Sequence, residues 1–127
     1  MEKKILLLGL ALGVLAIVLG AFGAHLLKKT LSDAQLSSFE IGVKYLMYHA
    51  LFLIFVASTS WLHTDQKNIV FYLIISGVLF FSGSIFLLTT QSLTKINFSF
   101  LGPVTPLGGL LLIAAWCCVF INILNKK

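Results

Sequence analysis

Four long runs of apolar residues, separated by short polar stretches, dominate this chain of 127 residues. A helix needs about 20 apolar residues to cross the roughly 30 Å hydrocarbon core of a bilayer. Four runs reach about that length, at residues 5–27, 39–62, 69–88 and 106–124. Because the stretches between them are short, neighbouring helices must run antiparallel. The pattern predicts an all-α membrane protein of one domain, with four transmembrane helices in an up-down-up-down bundle.

The composition supports a lipid environment. Hydrophobic residues make up 59% of the chain and charged residues 10%, whereas soluble domains carry about 25% charged residues. The net charge of +5 comes from lysines at the ends of the apolar runs, which is the position of interfacial anchors. We therefore expect the lipid bilayer as partner and no nucleic acid. A second copy of the chain or other membrane proteins are further possible partners.

The first run has an alternative interpretation as a signal peptide. Lys3 and Lys4 precede it, and residues 21–23 resemble a cleavage site. Its apolar stretch is longer than the 7–15 residues or so that are usual in such peptides. We therefore expect a true transmembrane span.

The distribution of lysines gives an expected orientation. Five lysines fall on the side of the termini and four on the other side, the first group being Lys3, Lys4, Lys67, Lys126 and Lys127. The positive-inside rule then places both termini in the cytoplasm.

Small residues form a stripe along the first run. Its members are Gly9, Gly13, Ala16, Gly20 and Ala24, and the third run adds Gly83, two turns from Ser76. Such stripes allow helix backbones to approach closely in lipid. We favour helix packing over a pore lining. The stripe could face a helix of the same chain or another copy.

The second helix is predicted to start before its apolar run, with its first turns at the membrane interface over residues 32–38. Ser32 and Gln35 form a capping-box pair, and Leu31 with Leu36 occupy the staple positions. Similarly, Thr105 is expected to cap the fourth helix, with Pro106 at its first position.

Four ionisable residues form the candidate site, a polar layer of His25, Glu40, Lys44 and His49. Glu40 and Lys44 are spaced to pair on one helix face at headgroup depth. His49 points away from Glu40, and His25 emerges on the same side of the membrane. The two imidazoles could meet and carry protons, or they could be hydrogen-bonded interfacial residues, which we favour.

The sequence gives no sign of an enzyme, cofactor or metal. Cys117 and Cys118 are adjacent within an apolar run, without a spacing typical of metal or redox sites. No nucleophile with a base and no paired carboxylates can be identified.

Four segments resemble a known family. They are GAFGAH (20–25), FEIGVKYLMYHAL (39–51), SGSIFLL (82–88) and LGPVTPLGGLLLIAAW (101–116). They are similar to the small membrane proteins called domain of unknown function 423, which are related to animal transmembrane protein 256. The resemblance implies a bacterial inner-membrane protein with four spans and no activity that can be transferred. The positions that it places in the family's motifs are Gly20, Gly23, His25, Glu40, Tyr48, His49, Gly102, Pro103, Pro106 and Gly108, while Leu26 departs from a family glycine.

Two functions remain open from the sequence. The first is a small helical scaffold or accessory subunit that self-associates. The second is an oligomeric transporter or channel that conducts protons or a small solute through the polar histidine layer.

Overall fold

The computed structural model describes residues 2–127, and this part of the chain is helical with no strand. Four helical units are long and apolar enough to cross a membrane, so the predicted fold class is confirmed. The helices are α1 (Glu2–His25), α2 (Asp33–Ser58), α3 (Thr64–Val78), α4 (Ser84–Thr89), α5 (Gln91–Thr94) and α6 (Val104–Leu124). A π-helical segment, Leu79–Gly83, joins α3 to α4, so the third span runs without a break over Thr64–Thr89.

The capping box that starts α2 is present. The backbone N–H of Gln35 donates to Ser32 Oγ at 3.2 Å, and the backbone N–H of Ser32 donates to Gln35 Oε1 at 3.0 Å. The predicted staple is also seen, because Leu31 is buried and Leu36 packs against the same apolar cluster. Local sequence signals therefore start this helix well before its apolar run.

The start of α6 differs from the prediction. The helix begins at Val104, and Thr105 does not cap it because its hydroxyl lies 2.5 Å from Ser84 Oγ on α4. Pro106 is the third residue of the helix, within its first turn, rather than at its first position. This is tolerated because the first backbone N–H groups of a helix have no partner within the helix.

Glycines of α1 bring its backbone against α2. A Cβ added at Gly9 would lie 3.0 Å from the carbonyl oxygen of Ala50, and one at Gly23 would lie 2.9 Å from the ring of Phe39. Gly13 and Gly20 face Ala50 and Val43 with more room, at 3.9 and 3.5 Å. The small-residue stripe is thus used within one chain.

Ala24 does not belong to this interface, since it is exposed while Gly23 is buried. The reason is helical phase. From Gly9 to Gly23 the small residues are spaced by four, three, four and three, which stays close to the 3.6-residue period of the helix. From Ala16 to Ala24 there are two successive steps of four, which rotate Ala24 away from α2.

Two other glycines bring the backbones of the third span and α6 together. A Cβ at Gly77 would lie 2.7 Å from the side chain of Leu112, and one at Gly108 would overlap the backbone nitrogen of Phe81. Gly83, which the sequence suggested for packing, has its nearest neighbour at 3.9 Å, and that neighbour is Leu79 of the same span. Gly83 therefore marks no close helix contact.

The four spans follow one another in chain order. α1 packs chiefly on α2, α2 on the third span, and the third span on α6. In residues 2–127, no Cα atom of α6 comes within 8 Å of one in α1 or α2. The bundle therefore has two edge helices, α1 and α6, and a gap between α2 and α6 that only side chains bridge.

Candidate functional site

His49 lies at the centre of the gap between α2 and α6. Its side chain is 3% exposed, and among the described residues the other buried ionisable side chain is Lys67. A buried polar group is costly unless it is hydrogen-bonded. The partners of the imidazole therefore decide what His49 does.

Both ring nitrogens of His49 have a partner. Nδ1 lies 2.7 Å from the carbonyl oxygen of Tyr45, and the indole Nε1–H of Trp116 donates to Nε2 at 3.0 Å. A carbonyl only accepts and an indole N–H only donates. The proton of the neutral imidazole is therefore on Nδ1, and Nε2 is the acceptor. We call the contact between α2 and α6 the His49–Trp116 bridge.

Aromatic rings surround this bridge. The indole of Trp116 stacks on Phe52 with ring centroids 3.9 Å apart and an angle of 11° between the planes. The imidazole stands edge-on to the indole at 6.0 Å, and Tyr45 lies 4.8 Å from the ring of Phe81. Tilted and offset pairs of this kind are favourable. Aromatic side chains thus fill the space where no helix backbone enters.

Two apolar grooves flank Trp116 on the membrane-facing side. The first, the His49 groove, has a volume of about 410 Å³ and includes Tyr45, His49, Phe81 and Trp116 in its lining. The second, the terminal groove, also measures about 410 Å³ and lies between α2 and the last turns of α6. Since Trp116 lines both, its ring separates them.

The π-helical segment positions the wall opposite His49. Ser82 donates to the carbonyl oxygen of Gly42 at 2.8 Å and so ties the segment to α2. Ser84 donates to the carbonyl oxygen of Phe81 at 3.0 Å, and its hydroxyl also pairs with Thr105 of α6. Such wide turns often occur at functional sites. Here the segment turns Phe81 toward Tyr45.

The two histidines do not share a layer. Gly13 of α1 faces Ala50, the neighbour of His49. His25 is twelve residues further along α1, which places it about 18 Å away along the helix axis. It is exposed, and in the described part of the chain no hydrogen bond links it to His49. His49 is instead level with Trp116, about 18 Å into α6 from Val104.

Glu40 and Lys44 do not form the expected ion pair. Both side chains are exposed, and the ion pair found within residues 2–127 joins Lys67 to Glu2. They line a small groove of about 160 Å³ beside Gly20 and Gly23. The four residues of the predicted polar layer are therefore not assembled into one site, and a functional role for them stays a prediction.

Lys67 is a buried residue that the sequence analysis placed at the membrane surface. Its ammonium donates to Glu2 Oε1 at 3.0 Å and to the carbonyl oxygen of Ala57 at 3.1 Å. The contact joins the first turns of α1 and α3 to the last turn of α2, where a cation is favourable. Without Lys67, four accessible lysines remain on each side, so the lysine count no longer favours one orientation.

The sequence analysis missed Trp116, although a signal was present. Tryptophan in membrane proteins is enriched at the interfaces, whereas Trp116 stands near the middle of an apolar helix. An indole N–H at that depth needs an acceptor. The nearest polar candidate at a matching depth was His49.

No cluster of three or more His, Cys, Asp or Glu side chains that could hold a metal occurs within residues 2–127. Cys117 is exposed and Cys118 is half-buried, and both are free thiols.

Comparison with known proteins gives the family. The model of the family described as protein of unknown function DUF423 matches residues 19–109. This chain belongs to the DUF423 family. A UPF0382 membrane protein of Staphylococcus haemolyticus is 41% identical over 120 residues, which cover 94% of both chains. A second, from Bacillus subtilis, is 38% identical over 121 residues, again 94% of each chain. No solved structure matches. The expected resemblance and the membrane location are confirmed.

Proposed function

We propose that this DUF423 protein is a small helical scaffold or accessory subunit that self-associates in the membrane. The main support is the bonding of His49. An imidazole that accepts a hydrogen bond at Nε2 and donates one at Nδ1 is a structural link, because protonation would require loss of the bond from Trp116. The buried imidazole thus serves to hold α6 against α2.

The two edge helices support assembly with neighbours. α1 and α6 have fewer buried residues than α2, and neither is covered by the other. Their outward residues are large and apolar, among them Val14 and Ile17 on α1 and Leu110 and Ile121 on α6. Lipid or another helix can cover these faces equally well, so assembly requires no polar surface to be desolvated.

The proposal places the protein in the bacterial cell membrane with both termini in the cytoplasm. The named relatives from Staphylococcus and Bacillus are membrane proteins, which supports the compartment. The orientation rests on the count of all lysines in the sequence, five on the side of the termini against four on the other. Without the buried Lys67 the two counts are equal, so the cytoplasmic location of the termini stays a prediction.

The proposal assigns no catalytic activity. In the described residues, the two buried ionisable side chains, His49 and Lys67, are both engaged in bonds that join helices. Neither has a free polar atom directed at a groove that could hold a substrate.

The test is the number of copies per assembly in lipid. Subunit counting by stepwise photobleaching in bilayers at low protein density should give more than one copy. Oxidative cross-linking then tests which part of the protein meets a neighbouring copy. With Cys118→Ser, the exposed thiol of Cys117 on α6 should link copies that meet at this edge, whereas Cys117→Ser, which keeps the half-buried Cys118, should not. A partner-free monomer at all densities would contradict the proposal.

A transport function is the second candidate, and one observation favours it: His49 lines an open groove. If His49 carries protons, Trp116→Phe should keep or raise proton flux into liposomes because it frees Nε2. His49→Ala should abolish the flux, and His25→Ala, at the far end of α1, should leave it unchanged. Equal flux in all variants would remove this candidate and leave the scaffold proposal intact.

A further inference from the structure

The terminal groove can hold a hydrocarbon chain. Its walls include Phe52 and Phe55 of α2 and Val119, Phe120 and Ile123 of α6. Among the side chains that line it, only that of Trp116 carries a polar atom, and this N–H is already bonded to His49. From Trp116 to Leu124 the groove extends about 12 Å along α6, which is close to one leaflet of a bilayer about 30 Å thick.

A flexible chain fits this groove better than a helix does. Close helix packing in lipid depends on Gly, Ala or Ser at the contact, and none of these residue types lines the terminal groove. The glycines that contact another helix most closely, Gly9, Gly23, Gly42, Gly77 and Gly108, are used within the chain. An acyl chain, in contrast, can follow an irregular surface of aromatic and branched side chains.

A polar pocket of about 300 Å³ lies at the same end of α6. Its lining includes His63, Asn122, Asn125, Lys126 and Lys127, and no acidic side chain belongs to it. Lysine ammonium groups and side-chain amides are donors that suit phosphate oxygens. The charge of this pocket therefore favours an anion.

Lys126 is held at the edge of this pocket by two contacts. Its ammonium donates to the carbonyl oxygen of Ser60 at 2.6 Å and lies 5.9 Å from the ring centre of Trp61. An ammonium has three donors, so two remain for a ligand. Trp61 is 54% exposed, as is usual for an aromatic residue at the membrane interface.

The two cavities share the last turns of α6. Ile123 and Leu124 line the apolar groove, while Asn122 and Asn125 line the polar pocket. We propose that this end of the protein binds an anionic glycerophospholipid, with the phosphate in the polar pocket and one acyl chain in the terminal groove. This site is independent of the proposed scaffold function, so either can fail without the other.

The experiment measures lipid selectivity in reconstituted bilayers by electron paramagnetic resonance. Phosphatidylglycerol and phosphatidylcholine, each spin-labelled on the acyl chain, are compared by the fraction whose motion the protein restricts. We expect a preference for phosphatidylglycerol. The double variant Lys126→Gln with Lys127→Gln should lose this preference. The affinity for phosphatidylglycerol relative to phosphatidylcholine should fall by about five-fold for each lysine removed.

A matched control separates the site from general surface charge. Lys3→Gln with Lys4→Gln removes the same charge from exposed lysines on the same side of the bundle, outside the pocket, and should keep most of the preference. Ile123→Trp, which fills the groove, should lower the restricted fraction of both lipids. Helical content and elution volume of each variant verify folding.

Three outcomes would overturn the proposal. The first is equal restriction of the two lipids by the unmodified protein. The second is an equal loss of preference in the two double-lysine variants, which would indicate surface charge only. The third is removal of the preference by inorganic phosphate at constant ionic strength, which would indicate a site for free phosphate rather than for lipid.

Discussion

Removal of the indole N–H from the His49–Trp116 bridge is the most direct test of the structure. Trp116→Phe keeps an aromatic ring over Phe52 but leaves Nε2 of His49 without its donor. The bond length of 3.0 Å and the burial of His49, which is 3% exposed, indicate a bond that water does not readily replace.

The magnitude of the effect follows from two contributions. A buried acceptor left without a partner costs about 1–3 kcal/mol. Hydrogen bonds between helices in membranes are weaker on average, at about 0.6 kcal/mol, because the unfolded state also finds partners. The smaller ring also loses part of its contact with Phe52. We therefore expect Trp116→Phe to lower the free energy of unfolding by about 1–2 kcal/mol.

The assay is reversible unfolding in mixed micelles with increasing mole fraction of a denaturing detergent, followed by circular dichroism. Trp61→Phe is the control, because Trp61 is exposed in the loop after α2 and should change stability by less than about 0.5 kcal/mol. A double-mutant cycle with His49→Phe isolates the bridge. We expect a coupling energy near 1 kcal/mol between the two sites.

Independent evidence comes from nitrogen-15 magnetic resonance of the imidazole. The structure predicts a protonated Nδ1 and an unprotonated, hydrogen-bonded Nε2 in His49. A coupling energy near zero together with the opposite tautomer would refute the assigned bonding. Loss of stability in Trp61→Phe equal to that in Trp116→Phe would show that the effect is not specific to the bridge.

Two further predictions concern packing and charge. Gly108→Val should destabilise the protein by about 3 kcal/mol or more, because its added atoms meet backbone of the third span. In the same unfolding assay, Gly83→Ala should be neutral or stabilising, because the added Cβ would have its nearest neighbour at 3.9 Å, an ordinary van der Waals contact. Glu2→Gln should lower the free energy of unfolding by about 1 kcal/mol, more at low salt than at high salt, because it leaves the buried Lys67 without its carboxylate. Lys67→Met removes the buried charge itself and should therefore destabilise the protein less. A larger loss of stability in Lys67→Met than in Glu2→Gln would contradict this account of the pair.

The sequence by itself determined the number of spans, the start of α2 and the use of small residues on α1. These features depend on local information: the length of apolar runs, the capping pair Ser32 and Gln35, and the spacing of Gly9 and Gly13. Hydrocarbon length and backbone hydrogen bonding impose them on any chain in a bilayer.

Only the tertiary structure decided which polar groups meet. The spans are apolar on all sides, so no polar face indicated how the helices are rotated or how far they are shifted along each other. The contacts of Gly9 and Gly23 with α2 set the shift that separates His25 from His49. The contact of Gly108 with the third span places Trp116 level with His49. Because close packing of small residues fixes the helix register in lipid, the partners of the buried polar groups follow from that packing.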